Sequence, residues 1–200
     1  MKKYQKNYKV SFMIKNILLT TFLLTGALNA QNSVGVDINN EDVEVFGHYN
    51  LNSDIGYTGG TSFLVDASYL YSNENESNLF SIGVSGESSL EAAQGLTFGL
   101  GTKFVFAEDF MALPLLGRVT FILPFDSDIP TTSLKGMFAY APSVLTFSDG
   151  ESYLEYRLEA DMEVISNIHI FTGYRNIDTN YEFVDYNLND SFYGGLKVSF

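Results

Sequence analysis

Residues Ser152–Val164 constrain this chain more than any other stretch. Leu154, Tyr156, Leu158, Ala160, Met162 and Val164 alternate strictly with Tyr153, Glu155, Arg157, Glu159, Asp161 and Glu163. Wound as a helix, these acids would be scattered around the whole cylinder; only a period of two separates the apolar class from the charged one. The segment is therefore a strand with one oily face and one charged face, and neither can be left in the wrong medium. The last ten residues repeat the pattern. Phe192, Gly194, Leu196, Val198 and Phe200 stand against Tyr193, Gly195, Lys197 and Ser199. About ten alternating residues are what a tilted strand needs to cross a bilayer. An aromatic last residue is expected where such a strand closes a bacterial barrel, with Phe192, Leu196, Val198 and Phe200 forming the carboxy-terminal signal read by the barrel-insertion machinery.

The amino-terminus has a different character. Lys2, Lys3, Lys6, Lys9 and Lys15 precede an apolar run from Ile17 through Leu24, and Leu28-Asn29-Ala30 places a small residue just before Gln31. A basic region, a short apolar core and a small-residue site are the parts of a secretory signal, so residues 1–30 are expected to be removed and 31–200 to form one domain. Met13 is an alternative start. Once these five lysines are gone, six Lys and Arg face 24 Asp and Glu, which argues against nucleic acid as a partner. The chain has no cysteine, so neither disulfides nor thiolate metal sites hold it together.

Alternation continues along the chain. Candidate strands fall at Ser33–Ile38, Asp42–Asn50, Thr61–Tyr71, Asn78–Glu87, Gly95–Ala107, Met111–Pro124, Thr131–Ala141, Ser152–Val164, Asn167–Asn176 and Ser191–Phe200. Ser88–Gln94 is the one stretch with the composition of a helical turn, and Ile177–Asp190 reads as the longest connection. The fold class expected is all-β, an antiparallel up-and-down transmembrane barrel of ten strands, or eight if the first two segments are read differently. Counting back from the last strand puts Leu51–Gly60, Ser88–Gln94, Asp126–Pro130 and Ile165–Asn167 on the periplasmic side.

The six remaining bases are Lys103, Arg118, Lys135, Arg157, Arg175 and Lys197. Each falls on a different one of the last six strands, and each lies on the less apolar face. Random placement would do this about once in 64 trials under a strict period of two. Lipid on the opposite face explains it, since a base at mid-depth there costs about 2–4 kcal/mol. Together with Glu155, Glu159, Asp161 and Glu163, these bases are expected to pair inside a narrow lumen, because unpaired buried charge is costly. At eight to ten strands the interior is filled mostly by side chains.

Signals for chemistry are sparse. His48 and His169 are the only histidines, both on inward faces near the periplasmic end. Serines are plentiful, but no motif singles one out as a nucleophile. There is no phosphate loop, zinc spacing or calcium loop. Glu74 with Glu76, or Asp149 with Glu151, could hold a divalent cation loosely, and solvated loop charge is the simpler reading. Tyr69, Tyr71, Phe104, Phe106, Phe138 and Tyr140 fit an interfacial aromatic girdle.

The segments Gly95–Lys103 (GLTFGLGTK), Phe171–Ile177 (FTGYRNI) and Phe192–Phe200 (FYGGLKVSF) resemble the YfaZ family of small outer-membrane proteins. The resemblance implies a signal-bearing outer-membrane barrel and supplies no catalytic, cofactor or metal residues. The leading expectation is a non-enzymatic, monomeric barrel, structural or a mostly closed pore, in contact with membrane lipid and lipopolysaccharide. Two alternatives remain: a lipid-modifying enzyme, and a soluble barrel with the pleat inverted, its apolar face enclosing an apolar ligand.

Overall fold

Twelve strands follow one another in chain order in the computed structural model, which describes residues 32–200 apart from 57, 74–76, 126–128 and 182–183. They are β1 (Ser33–Ile38), β2 (Asp42–Asn50), β3 (Thr61–Ser72), β4 (Ser77–Ser89), β5 (Leu96–Ala107), β6 (Phe110–Ala112), β7 (Leu115–Ile122), β8 (Thr132–Ala141), β9 (Thr146–Ser148), β10 (Gly150–Ile165), β11 (Ile168–Tyr181) and β12 (Val184–Ser199). The expected signal, residues 1–30, and the acids Glu74 and Glu76 lie outside the described residues.

Ten strands form the wall. Each pairs antiparallel with the next, and β1 pairs with β12 from Ser33↔Ser199 to Ile38↔Gly194, so the sheet closes on itself. Closure leaves no edge with unpaired backbone groups, the condition for strands to cross hydrocarbon. Both β1 and β2 belong to this wall, which removes the eight-strand alternative. The three-residue strands β6 and β9 pair with each other, and β6 also pairs with β5.

Three segments differ from the sequence reading. Met111–Pro124 is not one strand: Pro114 has no N–H for the ladder, and the chain steps from β6 to β7 there. Pro142 likewise ends β8, and the chain passes through a 3₁₀ turn, Ser143–Leu145, into β9. The two breaks face each other, joined by the Leu113 N–H donating to the Leu145 carbonyl at 2.8 Å. Ser88–Gln94 is no helix, because Leu90 donates to the Leu96 carbonyl and closes a hairpin. The only α-helical turn among the described residues is α1 (Asn52–Ile55).

Ile177–Asp190 is not a loop either. The β11–β12 ladder runs past a bulge at Ile177/Asp178 through Thr179↔Tyr186. Polar side chains take over the cross-strand contacts there, as where Asn187 Nδ2 donates to Asp178 Oδ1 at 2.7 Å. The apolar alternation that marks a strand in sequence is therefore missing, although the ladder is not.

The pleat puts oil outside. Leu100, Leu115, Leu158 and Phe192 are exposed on the outer wall, Leu158 to 63 % and Phe192 to 77 %, while Lys103, Glu155, Asp161 and Arg175 are buried within. This arrangement excludes the inverted barrel. Leu196 and Val198 also point outward, and the Phe200 N–H donates to the Asn32 carbonyl at 2.8 Å. No described helix is long and apolar enough to cross a membrane, which says nothing of these strands.

Candidate functional site: a two-part lumen

The half of the lumen nearer Asn32 and Phe200 is polar and holds a cavity of about 320 Å³, lined by residues of every wall strand except β11. At its inner end Glu155 accepts hydrogen bonds from Lys103, from Arg157 Nε at 2.6 Å and from the Tyr153 hydroxyl at 2.5 Å. Arg157 then reaches across the lumen and grips Glu44 with both terminal nitrogens, at 2.5 and 3.0 Å. Arg175, wholly buried, donates to Glu44 and, at 3.3 Å, to Asp37, while its Nε donates to Asn189 at 3.0 Å. Its guanidinium lies 5.1 Å from the centre of the Tyr193 ring. Such charges are tolerated inside only because each is matched by an opposite charge and hydrogen-bonded.

Two further groups lie closer to the open end. Arg118 forms a two-point contact with Asp66, at 3.1 and 2.8 Å, and approaches Glu87 at 3.6 Å. Asp66 also meets His48 Nδ1 at 2.5 Å. Lys135 donates to Glu159 at 3.1 Å and to Asp161 at 3.0 Å, and Lys197 donates to Asp161 at 2.5 Å. His169 Nδ1 lies 2.8 Å from the other Asp161 oxygen, and Ser199 Oγ lies 3.4 Å from His169 Nε2.

All six bases expected in the lumen thus have acidic partners there. Glu155, Glu159 and Asp161 take part as well. Glu163 is the correction: its carboxylate accepts from the Asn167 N–H at 2.9 Å and serves the β10–β11 turn instead of the charge network. Four participating acids, Asp37, Glu44, Asp66 and Glu87, were not picked out by the sequence reading. Their place on the polar pleat was the available signal; their partners lie tens of residues or more away and meet them only when the barrel closes. Among the described residues no group of three His, Asp or Glu is arranged to hold a metal.

The other half of the lumen is oil. Leu70, Leu79, Val105, Leu116, Ala139, Tyr153, Ile177 and Leu188, one from each of eight wall strands, pack together with Phe110 and Ala112 of β6, and none is more than 3 % exposed. The Phe110 ring lies 6.1 Å from that of Tyr153 and 5.5 Å from that of Tyr181. Nothing in the sequence alternation announced this plug. Its members share the inward pleat with the charges, and only their position along the strands separates the two groups.

Comparison with known proteins adds three findings. No curated protein matches the chain. A solved structure described as a bacterial polysaccharide outer membrane secretin is similar over 80 % of this chain and 56 % of that one, at 7 % identity and a TM-score of 0.43. The chain therefore spans little more than half the length of that protein. The third finding concerns the carboxy-terminal strands, which contain the FTGYRNI and FYGGLKVSF segments: over residues 124–200, the chain matches the family described as YfaZ precursor.

Proposed function

We propose that this is an integral outer-membrane β-barrel, exported after loss of residues 1–30, which stands in the membrane as a closed, structural monomer and not as an open pore. In this reading the ends of the chain face the periplasm, the outer wall contacts membrane lipid and lipopolysaccharide, and the charge network fills the lumen without forming a solute path. The observation that carries the reading is the apolar plug. Eight wall strands each contribute a side chain with almost no water contact, which supports a lumen blocked at that level. A conducting barrel needs the opposite, and open channels belong to wider barrels.

The test takes the full chain, folded into membranes and identified by a band whose gel mobility changes on heating. In a planar bilayer the folded protein is expected to give no discrete conductance steps. Reproducible steps from the folded material would overturn the closed reading.

A further inference from the structure

Near the open end of the lumen, three side chains on neighbouring strands line up as a proton relay. Asp161 on β10 faces His169 on β11, with 2.8 Å between Oδ1 and Nδ1, and His169 Nε2 faces Ser199 Oγ on β12 at 3.4 Å. Asp161 can only accept at Oδ1, so Nδ1 carries the imidazole proton and Nε2 is left as the acceptor for the serine hydroxyl. The second Asp161 oxygen is held by Lys135 and Lys197, which fixes the carboxylate and hence the plane of the ring. The pair Ser199–His169 is longer than a strong hydrogen bond, as is common for catalytic contacts before substrate arrives.

Position separates this group from the sealed network farther in. Ser199 and His169 are only half-buried and lie near strand ends, beside Lys197, which lines the cavity. The adjoining residues on the same two strands, Ile168 and Val198, are exposed on the outer wall. A side chain at this rim therefore lies next to the polar lumen and one residue along the strand from the apolar outer wall. This goes beyond the structural role proposed above and does not depend on whether the barrel conducts.

We infer that Ser199, His169 and Asp161 form a nucleophilic site whose substrate class is the carboxylic ester of an amphiphile reaching the barrel rim from the membrane. Ser199 Oγ bonds to the ester carbonyl carbon as its proton passes to His169 Nε2. The carbon–oxygen bond to the alcohol then breaks, and the alcohol leaves with that proton. Water, deprotonated by the same imidazole, releases the acid and restores the serine. Asp161 positions the ring and stabilises its cationic form, without contacting the ester. The ammonium of Lys197, two residues before Ser199 on the same face of β12, supplies positive charge near the oxyanion.

The experiment uses the full chain folded in detergent micelles, with a fluorophosphonate probe and then a p-nitrophenyl ester of a medium-length fatty acid. Ser199→Ala removes one hydroxyl and is expected to keep the heat-modifiable band; His169→Gln is the second variant. Covalent labelling at Ser199 is expected, absent in Ser199→Ala and slowed by about a hundredfold in His169→Gln, with ester hydrolysis falling in step. Folded wild-type protein that resists the probe, or labelling unchanged by either substitution, would overturn the assignment. Neither result bears on the conductance test, so the two proposals fail separately.

Discussion

Burial decides what each lumen charge is worth. Arg175 is fully buried and is the base nearest Asp37, whereas Lys135 is 30 % exposed and shares its acids with others. Replacing Arg175 by Met takes away the buried base that pairs with both Asp37 and Glu44, the situation in which removing one partner costs about 3–5 kcal/mol. Replacing Lys135 by Met leaves Asp161 its contacts with Lys197 and His169, and the partly solvated pair is worth at most about 1 kcal/mol. Urea unfolding in lipid vesicles should therefore show a large drop in midpoint for Arg175→Met and a small one for Lys135→Met. Equal drops would mean that the network is not graded by burial. At this scale the bases were legible in sequence because each stood alone among polar neighbours on a strictly alternating strand. Their acids were not, since Glu44 meets Arg157 and Arg175 across the lumen from 113 and 131 residues away.

Element boundaries were legible wherever one pleat faces oil, and they blurred where that contrast lapses. Most of the ten wall strands were found within a few residues. The outer half of the β11–β12 hairpin was read as a loop because its side chains hydrogen-bond instead of packing, Asn187 donating to Asp178 and Asn180 to Ser152 on β10. The plug was missed for a related reason: an apolar side chain on the inward pleat looks in sequence like a gap in the charged face. β6 contributes Phe110 to the plug only because Pro114 interrupts the wall and lets three residues form a separate short strand. The aromatic pair Phe110 and Tyr153 fills the space between β6 and β10, so changing both to Ala should leave a void connecting the polar cavity to the far end. In a planar bilayer the folded double variant is expected to show discrete conductance steps that the parent lacks. A silent double variant with an intact heat-modifiable band would place the barrier elsewhere in the plug.

For the molecule as a whole, closure converts a local period of two into an inside and an outside. Once β1 pairs with β12, every residue of one parity faces the lumen and every residue of the other faces the surroundings. The direction of that choice was open in the sequence, since charges in water and oil within would have satisfied the same alternation. The closed wall puts the charges inside, and lipid is then the medium that suits the exterior. Two outward positions on β10 measure this directly. Leu158 lies midway along the strand and is 63 % exposed, while Val164 lies one residue from its end and is also exposed. If the wall spans a bilayer, Leu158→Arg should lower folding stability in vesicles by about 2–4 kcal/mol, and Val164→Arg by only about 0–1, because the penalty falls from the midplane to the interface. A barrel standing in water would register little from either substitution, since surface charge on an exposed position changes stability by no more than about 0.5 kcal/mol. The depth-dependent difference between the two variants thus separates the media, whatever the lumen does.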